Sequence, residues 1–287
     1  MTRQIALYGG GGVGVSTVAA NISAALADDG MRVLRVGCDS RHGSFGALDA
    51  AVSGPTVMDL LRQRQPLKLE ELLIQGYKGN CCIELGDPFY HGVCPSQAIA
   101  QALTALGELD LEGKLKPELI LYDIPWEAGS AGFLDPLKRS PVQQVFVVIS
   151  PDFMSLSMAN SILKRVAERD VSAQPPTVGF IANGLTNPFE ESFVADFART
   201  LQARVATVIP RSLVVRQCEL YGMSVIEGAA LSNQASIYRR LARQIVGGDA
   251  SGAYVPLAVD ALKRWARNWG ELIFEMENGL ISDGASI

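Results

Sequence analysis

The chain has 287 residues, 48% of them apolar and 19% charged, with a formal net charge of −5. This is the composition of a globular protein with a large core, and its acidic balance implies no general affinity for nucleic acid. No apolar run reaches the ~18 residues needed to cross a bilayer, and no apolar secretory stretch follows Met1, so a cytoplasmic protein without a membrane span is expected. The five cysteines, Cys38, Cys81, Cys82, Cys94 and Cys218, are an odd number in a long chain, which argues against a disulfide framework.

In chain order, residues 5–8 form a short apolar run closed by glycines, which predicts a buried strand and a turn. Residues 16–27 read as a helix stopped by Asp28-Asp29-Gly30, and 32–36 as the next strand. Further strands are predicted over 119–122, 145–149, 178–181 and 204–209, with helices such as 155–168 and 188–202 between them. Alternation of this kind predicts an α/β fold, a doubly wound, mostly parallel sheet flanked by helices. No repeat or linker interrupts it. The expected organisation is one P-loop NTPase-like domain over 1–270 and a tail of small and polar residues over 271–287.

The first loop carries the strongest local signal: Gly9-Gly10-Gly11-Gly12-Val13-Gly14-Val15-Ser16-Thr17. Glycines here let backbone N–H groups curl around phosphate oxygens, and the following helix adds its dipole. The spacing Gly9-x4-Gly14-x-Ser16 fits a phosphate loop with Ser16 where a hydroxyl meets Mg²⁺, but Val15 stands in place of the lysine. Two other readings of the loop stay open. The glycines also suit a plain strand–helix turn. In addition, Gly9-x-Gly11-x-x-Gly14, with Asp39 after the second strand, matches a dinucleotide fingerprint and so a nicotinamide- or flavin-dependent oxidoreductase.

Longer stretches resemble the nitrogenase iron protein family and the reductase subunits of dark-operative protochlorophyllide and chlorophyllide reductases. Residues 8–17 resemble that family's phosphate loop, 36–42 its first switch, 84–94 the approach to its first cluster cysteine, and 122–133 its second switch. Asn183 and Pro210-Arg211 resemble its base-binding strand ends, while 223–227 and 238–242 resemble its late helices. The resemblance implies a homodimeric ATPase that docks on a larger protein partner, of a nitrogenase-like or reductase complex, and passes electrons from a [4Fe–4S] cluster between its subunits. Carried over residue by residue, it makes Asp39, Asp123 and Glu127 the catalytic positions. Gly9, Gly11, Gly12, Gly14, Ser16, Thr17, Arg41, Asn183 and Pro210 become the nucleotide-binding positions, and Cys94 a cluster ligand.

Several positions depart from the family pattern. Its two loop lysines are Gly10 and Val15 here, and Gly43 stands where the family has an acid near Mg²⁺. Each lost charge-assisted hydrogen bond is worth about 1.5–3 kcal/mol, a weakening of about 10- to 100-fold. Pro125 and Trp126 stiffen the second switch beside Glu127. The second cluster-ligand position is Ser130, whose oxygen is a harder ligand than thiolate. Gln97 replaces an arginine of the docking face. These losses predict weak or absent ATP/ADP–Mg²⁺ binding, no standard [4Fe–4S] cluster, and a pseudo-ATPase acting as a structural or regulatory partner.

The alternatives are an active ATP-dependent reductase whose cluster is completed by Ser130 or an outside ligand, and the dinucleotide enzyme. His91, three residues before Cys94, is either a surface histidine or, paired with Cys94 across two chains, part of a zinc-like ligand set. Cys38, Cys82 and Cys218 are expected to be buried packing thiols.

Overall fold

The computed structural model describes residues 2–38, 54–88, 95–126, 142–168 and 176–279, with backbone alone at 95, 96, 125 and 126. The strands are β1 (Arg3–Gly10), β2 (Val33–Gly37), β3 (Ile74–Gln75), β4 (Cys81–Glu84), β5 (Leu119–Trp126), β6 (Gln144–Ile149), β7 (Thr177–Leu185) and β8 (Arg204–Pro210). The helices are α1 (Val15–Asp28), α2 (Val57–Arg62), α3 (Leu69–Leu72), α4 (Pro95–Gly107), α5 (Leu111–Leu115), α6 (Phe153–Ala167), α7 (Pro188–Thr200), α8 (Leu213–Leu220), α9 (Val225–Gly228), α10 (Asn233–Gly247) and α11 (Val259–Glu277).

The strands make one sheet in the order β3-β4-β2-β5-β1-β6-β7-β8. Every pairing is parallel except β3 with β4 at one edge. This is the doubly wound sheet that the alternation predicts. β1 lies between β5 and β6 and is buried along both faces, which is why it reads as an unbroken apolar run rather than an alternating one. Tyr8, Leu34, Ile83, Ile120, Val147 and Phe180 belong to one apolar layer. Ile5, Leu7, Leu121, Val148 and Ile181 belong to the other, which takes in the inner faces of α1 and α10.

One buried strand had no expectation in the sequence, and one expectation changes. β4 has no apolar signature in sequence because Cys82 and Glu84 occupy alternate positions of a four-residue strand. The tail expected from 271 begins inside α11, which runs on to Glu277; residues 280–287 lie outside the described residues. α11 lays Trp265 and Trp269 on Phe193 of α7, with ring centroids 5.1 and 4.9 Å apart. Both indole N–H groups donate to Asp196 at 2.8 Å.

Candidate functional site

The C-terminal ends of β1, β7 and β8 and the segment after β6 meet at one crest, the place where open parallel sheets bind ligands. β1 ends at Gly10, a short turn follows in which Val13 N–H donates to the Gly10 carbonyl, and α1 starts at Val15. Gly12 (φ +84°) and Gly14 (φ +91°) hold left-handed backbone that a side chain disfavours. Gly14 is needed on a second count: a Cβ there would lie 2.5 Å from Asn183 Nδ2, which donates to the Val13 carbonyl at 2.8 Å. α6, α7, α8, α9 and α10 each open with a side-chain cap, whereas α1 has no side-chain cap and no acid in its first turn. Its first N–H groups have no intrahelical acceptor and favour an anion.

Two contacts tie this turn to the scaffold. Ser16 Oγ donates to Asp123 Oδ1 at 3.2 Å, and Asp123 is fully buried on β5. Thr17 Oγ1 donates to Glu219 Oε1 of α8 at 2.6 Å. Val15 does the opposite of what a phosphate-binding side chain does. It is 4% exposed, part of the apolar layer under α1, and its Cγ2 lies 2.5 Å from where a Gly9 Cβ would be. The side chain is folded beneath the loop, and no charge is delivered above it.

Beside the loop lies an open cleft of ≈ 660 Å³. Gly12, Gly14, Thr17, Asn183 and Pro210 line it, so five of the expected nucleotide positions converge; Gly9 on β1, Gly11 in the turn and Ser16 in α1 are not part of the cleft wall. Asp39, Arg41, Glu127, Cys94, Ser130 and His91 lie outside the described residues.

Arg216, Glu219, Gln234 and Tyr238 also line the cleft and were not predicted. Their spacing was the available signal: 216 and 219 share one face of α8, and 234 and 238 share one face of α10. Burial pushes the Tyr238 phenol up to about 12, so Tyr238 offers a neutral hydroxyl. Arg211 and Arg216 place guanidinium groups on the exposed rim. The cleft thus pairs an amide, a phenol and a proline with an anion-receptive turn, which fits a nucleotide's base and phosphates.

The remaining features separate the alternatives. In a dinucleotide fold the strand carrying the ribose acid is the immediate neighbour of the first strand. Here β5 lies between β1 and β2, so β2 is not that neighbour and the dinucleotide reading loses its geometric basis. Cys38, Cys82 and Cys218 are buried, as expected of packing thiols. Burial raises the thiol pKa of Cys81, Cys82 and Cys218, which keeps them protonated. Among the described residues no group of His, Cys, Asp or Glu is placed to hold a metal ion, and no helix is long and apolar enough to cross a membrane.

Comparison with known proteins agrees with this geometry. The family described as 4Fe-4S iron sulfur cluster binding proteins, NifH/frxC family, matches residues 3–271. Nitrogenase iron protein 2 of Paenibacillus durus is 35% identical over 99% of this chain and 97% of its own length. The nitrogenase iron protein of Methanospirillum hungatei is 34% identical over 93% of this chain and 96% of its own. The MinD cell division protein of Aquifex aeolicus shares the fold, with a TM-score of 0.66 at 19% identity over 86% of this chain and 98% of its own. A septum site-determining MinD of Pyrococcus horikoshii, solved with Mg-ADP, gives a TM-score of 0.64 at 21% identity over 88% of this chain and 100% of its own.

Proposed function

Because this chain belongs to the NifH/frxC family of 4Fe-4S iron–sulfur cluster binding proteins, we propose that it is a member that has given up ATP-gated electron delivery. It serves as a structural or regulatory partner of a nitrogenase-like or tetrapyrrole-reductase-like system, and it acts as a homodimer. The observation that carries this reading is Val15, buried beneath the loop where the family places an ammonium group. Phosphoryl transfer is catalysed almost wholly by positioning and by positive charge at the transferring group. A loop whose charged position has become part of the core retains the first and loses much of the second.

The retained parts define what remains. Asn183, Pro210 and Tyr238 would hold the base, and the turn from Gly11 to Gly14 with the start of α1 would hold the phosphates through backbone N–H groups. Affinity falls with the missing lysines and turnover falls further. The family's cluster needs two thiolates from each subunit, and this chain offers Cys94 with Ser130 at the second position. A single thiolate per subunit does not fit a standard [4Fe–4S] cluster, so no electron-transfer step is assigned to this chain.

Calorimetry with MgATP, an ATPase assay, and iron analysis with electron paramagnetic resonance on anaerobically purified protein test this reading together. Weak nucleotide binding, no turnover and substoichiometric iron are expected. Tight binding with turnover, and about four irons per dimer with a reducible signal, would instead establish the active reductase with atypical ligands. One observation favours that second reading: the Ser16–Asp123 pair is kept at 3.2 Å.

A further inference from the structure

A buried cation lies behind the Ser16–Asp123 pair. Arg35, in the middle of β2, is 2% exposed and heads the fully buried side chains by volume. β2 runs between β4 and β5. Arg35 stands opposite Cys82 on one side and Leu121 on the other, and Gly37 stands opposite Glu84 and Asp123. Paired residues in a parallel sheet share a face and alternate residues keep it, so Arg35, Gly37, Cys82, Glu84 and Asp123 all lie on one face. It is the α1 face, because Leu121 packs there with α1 and Ser16 reaches Asp123 from above.

The consequence lies in the row Glu84–Gly37–Asp123. Its central residue has no side chain, so two carboxylates, 5% and 0% exposed, flank bare backbone. Arg35 arises two residues earlier on the same strand and face, and strand side chains lean along the strand. Burial works against the guanidinium charge, yet the carboxylates of Asp123 and Glu84 help to hold its pKa above the ordinary value. A buried carboxylate must be paired, and for this pair of acids the chain supplies a tethered positive charge.

Phosphate-loop proteins hold Mg²⁺ between the loop hydroxyl and the aspartate of the strand beside it. Ser16 and Asp123 are those two groups here. A guanidinium on the same sheet face offsets one of the two negative charges that would attract a metal, and it sets a like charge near the place the metal would take. We propose that Arg35 is a built-in counter-ion that displaces the divalent cation at the Ser16–Asp123 pair, so that this chain binds a nucleoside diphosphate or triphosphate without Mg²⁺. The metal exclusion stands on the strand register alone; the ligand rests on the nucleotide reading above.

The test measures ADP affinity by calorimetry in EDTA and in Mg²⁺, and Mn²⁺ uptake by electron paramagnetic resonance with and without ADP, for the wild type, Arg35→Met and Arg35→Lys. The wild type and Arg35→Lys are expected to bind ADP equally in both buffers, within about twofold, and to take up no Mn²⁺. Arg35→Met is expected to take up about one Mn²⁺ per chain and to gain about tenfold in ADP affinity when Mg²⁺ is added. Wild-type ADP binding that tightens about tenfold with Mg²⁺ overturns the proposal, as does wild-type Mn²⁺ uptake or an Arg35→Met variant indifferent to metal. If Arg35→Met does not fold, the wild-type arms decide. If no variant binds ADP in either buffer, the nucleotide reading fails, and Mn²⁺ uptake by Arg35→Met alone still upholds the metal exclusion.

Discussion

Asn183, on β7, donates from Nδ2 to the Val13 carbonyl at 2.8 Å and so clamps the glycine turn that follows β1. The clamp explains why Gly14 is needed where Gly12 is merely convenient. Both have positive φ, but a Cβ on Gly14 would meet Asn183 Nδ2 at 2.5 Å, while a Cβ on Gly12 would meet nothing within 4 Å. Gly12→Ala is expected to cost about 1–2 kcal/mol from backbone alone. Gly14→Ala should cost more and should also release the clamp. Thermal melts of the two variants check the order, and equal losses would sink the clamp argument.

Val15→Lys combined with Gly10→Lys is expected to restore phosphate affinity by about tenfold or more, read by calorimetry with MgADP. The two positions differ in what they disturb. A Cβ on Gly10 meets the Met158 side chain most closely, with Sδ at 3.0 Å, and that chain is flexible enough to yield; Val13 Cγ1 lies at an ordinary 3.7 Å. Val15 is packed into the layer under α1, and withdrawing it forfeits about 1.5–3 kcal/mol of burial. The double variant should therefore bind tighter and melt lower. Unchanged affinity in a folded variant would mean that the turn no longer presents its N–H groups to phosphate.

The loop and most strands were legible because their signals are local. Buried parallel strands are continuous apolar runs, and a phosphate turn needs glycine at fixed offsets. Asn183 and Pro210 were legible only through resemblance, since nothing in their immediate sequence marks a base site. Arg35 was not legible at all. A lone arginine in an apolar strand reads as an edge or a solvated position, and only the register of Gly37 with Glu84 and Asp123 shows that acids 49 and 88 residues further along the chain share its face. The tail expected from 271 overlaps the end of α11 because that expectation rested on the small and polar residues of the last stretch, whereas Trp265 and Trp269 fix the helix to α7.

Asp28, at the end of α1, accepts from Lys78 Nζ at 2.6 Å, Arg239 Nη2 at 3.2 Å and the Tyr77 hydroxyl at 3.2 Å. The hydrogen bonds from Lys78 and then Arg239 hold its carboxyl below the ordinary value of 3.8. A depressed acid contributes stability that is fully present above its unfolded pKa and is lost as pH falls through the lower folded one. Asp28→Asn should therefore cost about 0.5–1 kcal/mol at neutral pH. The gap from wild type should close only below 3.8. Denaturant melts across that range check the sign, and a gap that widens on acidification would contradict it.

Asp196 carries the other end of the molecule. Its Oδ2 accepts both indole N–H groups, from Trp265 and Trp269, at 2.8 Å, and Arg199 pairs with Oδ1 at 3.3 Å. The indoles are buried against Phe193, so removing the carboxylate leaves two donors without an acceptor in an apolar setting. Each orphaned donor costs about 1–3 kcal/mol, whereas the exposed arm to Arg199 is worth little. Asp196→Ala is expected to lose roughly 2–6 kcal/mol, with a red shift in tryptophan emission as α11 lifts. Asp196→Asn keeps an acceptor oxygen and should lose clearly less. Melting temperature and emission separate the variants. A neutral Asp196→Ala would mean that the aromatic stack, and not the shared carboxylate, fixes α11 to α7.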